Sequence, residues 1–258
     1  MIKRKIHGAF IWFFGVLFLF AGCGQGPAGE EILVPGREST RQQAQLFEPL
    51  KPIAELRSAA LEAHPPVEEG DFLEPDLVEV ATLEPTVRLD VRYATANNFM
   101  GEVIYESPRV FLQRPVAEAL LNAHRQLVEK GYGVVLFDGY RPWYVTKIFW
   151  DATPLDKKDF VADPFIGSRH NRGAAVDLSL YDIESGELLT MPSGYDETTE
   201  RAGIDYAGGD AQSTANRDLL ISIMRLNGFE PLVNEWWHYD HHSWKSYPIM
   251  NVSFAEIN

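Results

Sequence analysis

Apolar and polar residues alternate along Val87-Arg88-Leu89-Asp90-Val91-Arg92-Tyr93, with Val87, Leu89, Val91 and Tyr93 sharing one parity. Successive side chains on a strand point to opposite faces, so this stretch predicts a half-buried strand. The period then changes. Val116, Leu120, Ala123 and Leu127 recur at helical spacing within Pro115–Lys130, and Gly131 follows as a terminator. Gly133–Phe137 is an unbroken apolar run that predicts a buried strand. It delivers Asp138-Gly139-Tyr140-Arg141-Pro142, where Pro142 suits the first turn of a helix over 142–152. Ala174–Leu180 alternates again, with Val176, Leu178 and Leu180 on one face and Ala175, Asp177 and Ser179 on the other. Ser185-Gly186 predicts a hairpin turn with Leu188–Met191 returning. A helix over Thr214–Asn227 turns Leu219, Leu220, Ile223 and Met224 inward and stops at Gly228, after which Phe229–Val233 leads into Glu235-Trp236-Trp237-His238. No repeat and no second core is visible. The expected class is α+β, helices packed on a small, mostly antiparallel sheet.

The start of the chain reads differently. Lys3-Arg4-Lys5 precedes an apolar stretch from Ala9 to Ala21, the length of a signal-peptide core and short for a membrane span. Small residues, Ala21-Gly22, lead to Cys23, the only cysteine of the chain. The pattern resembles a bacterial lipoprotein signal. That resemblance implies a leader over 1–22, lipidation of Cys23, and a protein held by its lipid at the cell envelope, facing the periplasm or the exterior. Gly24–Asp71 is rich in Pro, Glu, Gln and Gly, with one short helix over Ile53–His64. It is expected to be a flexible tether over 23–71, leaving 72–258 as the domain that carries the chemistry.

Formal net charge is −14, and loss of the three leader cations would make the remainder three units more negative. Such a surface repels phosphate backbones, so nucleic acid is excluded as a partner. With one cysteine, placed where a lipid would go, neither a disulfide framework nor a thiolate nucleophile is available. A metal site would have to be built from His, Asp and Glu.

Asp177 supplies a starting point. An aspartate in mid-strand is costly unless its charge meets a cation, a metal or several donors. His170 lies seven residues before it in a polar, Gly-containing loop, and His238 lies near the other end of the chain. Two imidazoles and one carboxylate form a zinc ligand set with a fourth position left for water. Glu235, three residues before His238, is near enough to act as general base. Residues three apart on a straight strand face opposite ways, so the pair requires an irregularity at Trp236-Trp237. Arg141, presented at a strand-to-helix corner, could stabilise an oxyanion or simply pair with Asp138. The other histidines carry less signal: His64 none, and His124, His241 and His242 are expected to be solvated. Both tryptophans are expected to pack around the site. The same ligand types serve non-haem iron oxygenases, but a Glu beside the last ligand favours hydrolysis.

Four blocks together resemble one family: Arg92-Tyr93-Ala94-Thr95 with Asn98-Phe99; Asp138-Gly139-Tyr140-Arg141-Pro142; Ser168-x-His170-x-x-Gly173-x-Ala175-x-Asp177; and Glu235-Trp236-Trp237-His238-Tyr239. They resemble the D-alanyl-D-alanine dipeptidases of the VanX type, within the zinc D,D-peptidases that share their fold with the hedgehog signalling domain. The resemblance implies one zinc ion per chain on His170, Asp177 and His238, Glu235 as catalytic base and Arg141 as the transition-state arginine. It further implies that Tyr93, Ser168 and Asp196 hold the dipeptide, with Asp196 on the free amine. A D,D-carboxypeptidase trimming stem peptides is the alternative within enzymes, and a catalytically silent zinc module the alternative outside them.

Overall fold

The computed structural model describes residues 46–257, so the expected leader and Cys23 lie outside the described residues. In chain order the regular elements are helix α1 (Ile53–Glu62), strand β1 (Leu77–Glu79), the single turn α2 (Val80–Leu83), strands β2 (Arg88–Leu89) and β3 (Phe111–Gln113), helix α3 (Arg114–Val128), strand β4 (Tyr132–Asp138), helix α4 (Trp143–Ala152), strand β5 (Ala175–Asp182), helix α5 (Ala211–Leu226), and strands β6 (Phe229–Leu232) and β7 (Glu235–His241). Among the described residues they form a five-stranded sheet, β2-β4-β5-β7-β6, and a two-stranded one, β1-β3. Only the β2–β4 pair of the larger sheet is parallel. The α+β class and the mostly antiparallel sheet are as the pattern predicts.

Helix α3 buries its expected stripe of Val116, Leu120, Ala123 and Leu127, and Gly131 beyond it takes the left-handed conformation at φ 87°. Strand β5 lies at the centre of the sheet and is buried on both faces, which is why even its Ala, Asp and Ser parity is out of water. Its register decides the site. Asp177 stands opposite His238 of β7 and opposite Asp138 of β4, so three polar side chains form one row across three strands. Directly opposed residues of antiparallel strands bring their side chains together on one face.

Several expectations need correction. The strand expected over Val87–Tyr93 pairs only at Arg88 and Leu89, and Arg92–Ala94 winds into a 3-10 turn that places Tyr93 under the site instead of along a sheet edge. The return strand Leu188–Met191 reduces to a single bridge between Tyr181 and Leu188. His124 is buried: its Nδ1 accepts the Val134 N–H (3.3 Å) and its Nε2 donates to Thr86 Oγ1 (2.9 Å). From residue 46 onward, the segment expected to be a free tether is folded against the domain. Leu56 and Ala60 of α1 are buried in the common core beside α4, and Leu46 and Phe47 pack against that core. The Leu46 N–H bonds Phe99 O (2.8 Å), and Glu68 pairs with Arg172 (2.5 Å) while accepting from the Ile249 N–H (2.6 Å). Composition alone concealed these contacts, because two apolar residues suffice to dock a one-face helix.

His241 also departs from expectation, whereas its neighbour His242 is exposed as expected. It is buried against Phe229, with its Nδ1 2.7 Å from Ser243 Oγ. Burial, then the neighbouring His242, pulls its pKa from 6.5 down to about 4. The folded state therefore holds His241 neutral while the unfolded chain protonates it first. Its contribution is complete above the unfolded value and is lost as pH falls through the interval down to about 4. The urea midpoint should drop between pH 7 and pH 4, by the equivalent of about 1–3 kcal/mol, and His241→Asn should flatten that part of the profile. An unchanged slope in the variant would assign the acid sensitivity elsewhere.

Candidate metal centre and active site

His170 reaches the end of the polar row from a short 3-10 turn, His170–Arg172, that ends on Gly173 at φ 65°. A Cβ on Gly173 would stand 2.6 Å from Leu77 Cδ2, so both backbone and space require glycine there. The turn is tied to the loop after β4. The Arg141 N–H bonds His170 O (3.1 Å), Asn171 Nδ2 donates to Arg141 O (2.8 Å), and His170 Nδ1 lies 2.7 Å from Gly139 O. Gly139 is constrained as well, since a Cβ there would meet Val110 at 2.6 Å and the Phe111 carbonyl at 2.9 Å. The Asp-Gly-Tyr-Arg-Pro loop and the His170 turn are thus one rigid unit.

The three donors meet at the floor of a cavity of about 320 Å³. His170 Nε2 lies 3.1 Å from His238 Nδ1; Asp177 Oδ1 is 3.0 Å from His238 Nδ1 and 3.4 Å from His170 Nε2. Their outer partners fix the tautomers. The Gly139 carbonyl can only accept, so His170 carries its proton on Nδ1; Asp240 Oδ1, 2.9 Å from His238 Nε2, does the same for that nitrogen. Two imidazole nitrogens and a carboxylate oxygen then face one another within hydrogen-bond distance. Such a cluster repels itself unless positive charge, a proton or a metal ion, sits within it. Burial opposes charge on His238, yet its bonds with Asp177 and Asp240 outweigh burial and push its pKa up to about 10. Burial likewise opposes ionisation of Asp177, but His170 and His238 overcome it and hold the carboxyl well below its usual range. The cluster draws positive charge, and two nitrogens with one oxygen fit a zinc ion with an open fourth position.

Two residues around the donors were not foreseen. Tyr195 OH donates to Asp177 Oδ2 (2.9 Å), leaving Oδ1 for the metal position. Asp240 orients His238 and also faces Arg169 (3.4 Å). Asp240 could have been found from strand parity, being two residues beyond His238; Tyr195 gave no local signal. Partners that orient ligands are worth about 10–100-fold in metal affinity. Tyr195→Phe keeps the ring contacts to Phe137 and Trp237, so a drop of about tenfold in affinity is expected. Competition with a chromogenic chelator measures it, and wild-type affinity would show that Tyr195 merely fills space.

Glu235 and His238 both face the cavity, with Glu235 Oε2 3.9 Å from His238 Nδ1. The required irregularity is present. Tyr239 pairs with Pro231 and Glu235 with Leu232, so β7 carries extra residues between these pairs, and Trp236 and Trp237 are both buried in consecutive positions. Trp237 lines the cavity, while Trp236 donates from its indole to Ser193 Oγ (2.8 Å). Burial raises the pKa of Glu235; His238 pulls it back and Asp177 adds to the rise.

Arg141 pairs with Asp138 and is also open to the cavity. Its Nε and Nη2 donate to Asp138 Oδ2 at 3.0 and 2.8 Å, and it also lines the cavity, packed over the rings of Phe149 and Tyr93. Ser168 lines the cavity and accepts the His170 N–H on its Oγ (3.2 Å). Asp196 lines it too, on a left-handed backbone (φ 56°) that is uncommon outside glycine. Its carboxylate accepts from Tyr93 OH at 3.0 and 3.2 Å. Among the described residues no cation forms a salt bridge with it. Burial first, then the charges of Asp177 and Glu235, push its pKa well above the carboxylate range. The structure thus brings Tyr93, Arg141, Ser168, His170, Asp177, Asp196, Glu235 and His238 to one cavity.

A sequence model of the D-Ala-D-Ala dipeptidase family matches residues 74–256. The chain belongs to this family. It is 34% identical over 180 residues to a D-alanyl-D-alanine dipeptidase of Escherichia coli, which covers 70% of this chain and 92% of that protein. It is 37% identical over 171 residues to a D-alanyl-D-alanine dipeptidase of Enterococcus faecium, covering 59% and 85% respectively. A Streptomyces coelicolor relative of the same name is 34% identical over 182 residues. The dipeptidase is a metallopeptidase by family and by donor set. The matched segment contains every cavity residue discussed above.

Proposed function

We propose that this dipeptidase hydrolyses D-alanyl-D-alanine to two molecules of D-alanine, with zinc on His170, Asp177 and His238. The observation that carries the reading is the convergence of two imidazole nitrogens and a carboxylate oxygen within 4.8 Å of one another, beside a carboxylate, Glu235, of raised pKa. Zinc in such a site supplies Lewis acidity, lowering the pKa of a water to about 7 and polarising a carbonyl oxygen.

The chain's own groups do the rest. Glu235 takes the proton of the attacking water and delivers it to the leaving nitrogen; its raised pKa suits a group that must both accept and give. Arg141 neutralises the negative charge that develops on the carbonyl oxygen, and its bond to Asp138 holds the guanidinium in place beforehand. Asp196, half-buried and among the described residues bonded at its carboxylate by the Tyr93 phenol, is a site for the substrate ammonium. Pairing there requires a free amine, which explains a preference for dipeptides over blocked or longer chains. Tyr93 orients Asp196, and Ser168 offers a hydroxyl to the backbone of the substrate.

The test is alanine release by the protein truncated at Cys23, from D-alanyl-D-alanine, its N-acetyl form and the L,L isomer, with and without a chelator. Chelator-sensitive release from the free D,D dipeptide alone is expected. Release from the N-acetyl form would instead mean a carboxypeptidase and remove the role of Asp196.

The proposal extends to location. Lys3-Arg4-Lys5, the apolar run to Ala21 and Cys23 support cleavage, lipidation and an envelope-anchored enzyme that scavenges or recycles wall-derived dipeptide. Labelled palmitate should enter the wild type and not Cys23→Ser. Full-length, unlabelled protein in the cytosol would overturn this.

A further inference from the structure

Two alanines offer only methyl groups to a cavity, and this cavity has an apolar wall beside its polar row. From Arg141 the surface continues over the ring of Phe149 (guanidinium 4.9 Å from its centroid), then to Phe99 (5.2 Å between centroids). Tyr93, which holds Asp196, packs on the same two rings at 4.8 and 6.0 Å. The apolar surface therefore borders both groups that would hold a dipeptide, the arginine and the amine-binding carboxylate. Leu46, bonded through its N–H to Phe99 O, lines the cavity beside these rings.

Leu46 is not part of the segment that the family model matches, which begins at residue 74. It is fixed there by its own contacts. Its N–H bonds Phe99 O (2.8 Å), the adjacent Phe47 ring lies 5.8 Å from Phe99, and Leu50 N–H bonds Ala152 O (2.9 Å) at the end of α4, the helix that carries Phe149. The N-terminal segment and the rings it covers are thus one packed unit.

We infer that Leu46, Phe99 and Phe149 form a side-chain subsite for an apolar residue larger than alanine, and that Leu46 sets how large a side chain is admitted. The substrate class is then free-amine D,D dipeptides with one bulky aliphatic or aromatic residue, cleaved at the same metal site. This rests on the dipeptidase reading above. Hydrolysis of the peptide bond by one water is unchanged; only the side chain differs.

The experiment measures kcat/KM of the Cys23-truncated protein on D-alanyl-D-alanine, D-leucyl-D-alanine and D-alanyl-D-leucine, for wild type, Leu46→Ala and Leu46→Trp. At least one leucine dipeptide should match or exceed D-alanyl-D-alanine, and which one does so identifies the residue that enters the subsite. Leu46→Trp should lower the ratio of that substrate to D-alanyl-D-alanine about tenfold or more, as a lost apolar pocket does; Leu46→Ala should not lower it. Because the readout is a ratio within one preparation, a partly unfolded variant does not disturb it. Cleavage of D-alanyl-D-alanine with both leucine dipeptides refused, or with a ratio indifferent to Leu46→Trp, would overturn the subsite and leave the dipeptidase standing. No cleavage of any of the three would overturn both.

Discussion

Glu235→Gln should lower kcat by about 10²–10⁴-fold, the range that positioned acid–base groups supply, while the protein keeps its full complement of metal. The substitution is nearly isosteric, and Glu235 accepts no hydrogen bond from a ligand; its nearest approach to the donors is 3.9 Å, to His238 Nδ1. Glutamine retains the volume and a carbonyl oxygen but cannot carry a proton between water and leaving nitrogen. Removing the charge also relieves repulsion with Asp177 and Asp196, so the variant should be no less stable than the wild type. The decisive comparison is turnover against metal content by atomic absorption. Retained turnover would remove Glu235 from the chemistry, and lost metal would make it a structural neighbour of the ligands.

Arg141→Ala should be as damaging to activity, by about 10²–10³-fold, as loss of a preorganised oxyanion donor usually is. Here a second effect intervenes. Asp138 is 1% exposed and Arg141 8% exposed, and stripping a buried ion pair of one partner costs about 3–5 kcal/mol. Asp138 is not left wholly bare, because Tyr105 OH (2.7 Å) and the Gly139 N–H (2.8 Å) still donate to its other oxygen. The double variant Arg141→Ala, Asp138→Asn separates the two consequences. Its melting temperature should recover toward wild type while kcat stays low. Recovery of activity along with stability would mean that Arg141 acted only by holding the fold. Arg141→Lys should rescue little, since a single ammonium cannot reproduce two parallel bonds to Asp138 and a face laid on Phe149.

The site was legible in the sequence where chemistry left a local mark. Asp177 in an apolar strand, a histidine loop before it and Glu-x-x-His each violate what packing alone prefers, and such violations mark function. The need for an irregularity at Trp236-Trp237 followed from the two-residue strand period, and β6–β7 pairing shows it. What stayed hidden depends on long-range partners. His124 reads as a solvated helix residue because Thr86 and the Val134 N–H, which satisfy it, lie on other elements. Tyr195 reaches Asp177 from a loop eighteen positions away, with no periodicity to announce it. Strand β2 could not be told from a longer strand because Val87, Val91 and Tyr93 are indeed buried together, although Tyr93 gets there on a 3-10 turn. The docking of 46–71 was missed since a Pro- and Glu-rich composition says nothing about one carboxylate meeting Arg172.

The alignment of Asp138, Asp177 and His238 in one row across β4, β5 and β7 has a bearing on quality control. A slip of β7 by one position would set Trp237 or Tyr239 opposite Asp177 and turn the imidazole to the other face. No partial version of the ion's cage survives such an error, so a mispaired molecule leaves the ion behind. With metal supplied in excess, bound metal per chain therefore counts the correctly registered molecules.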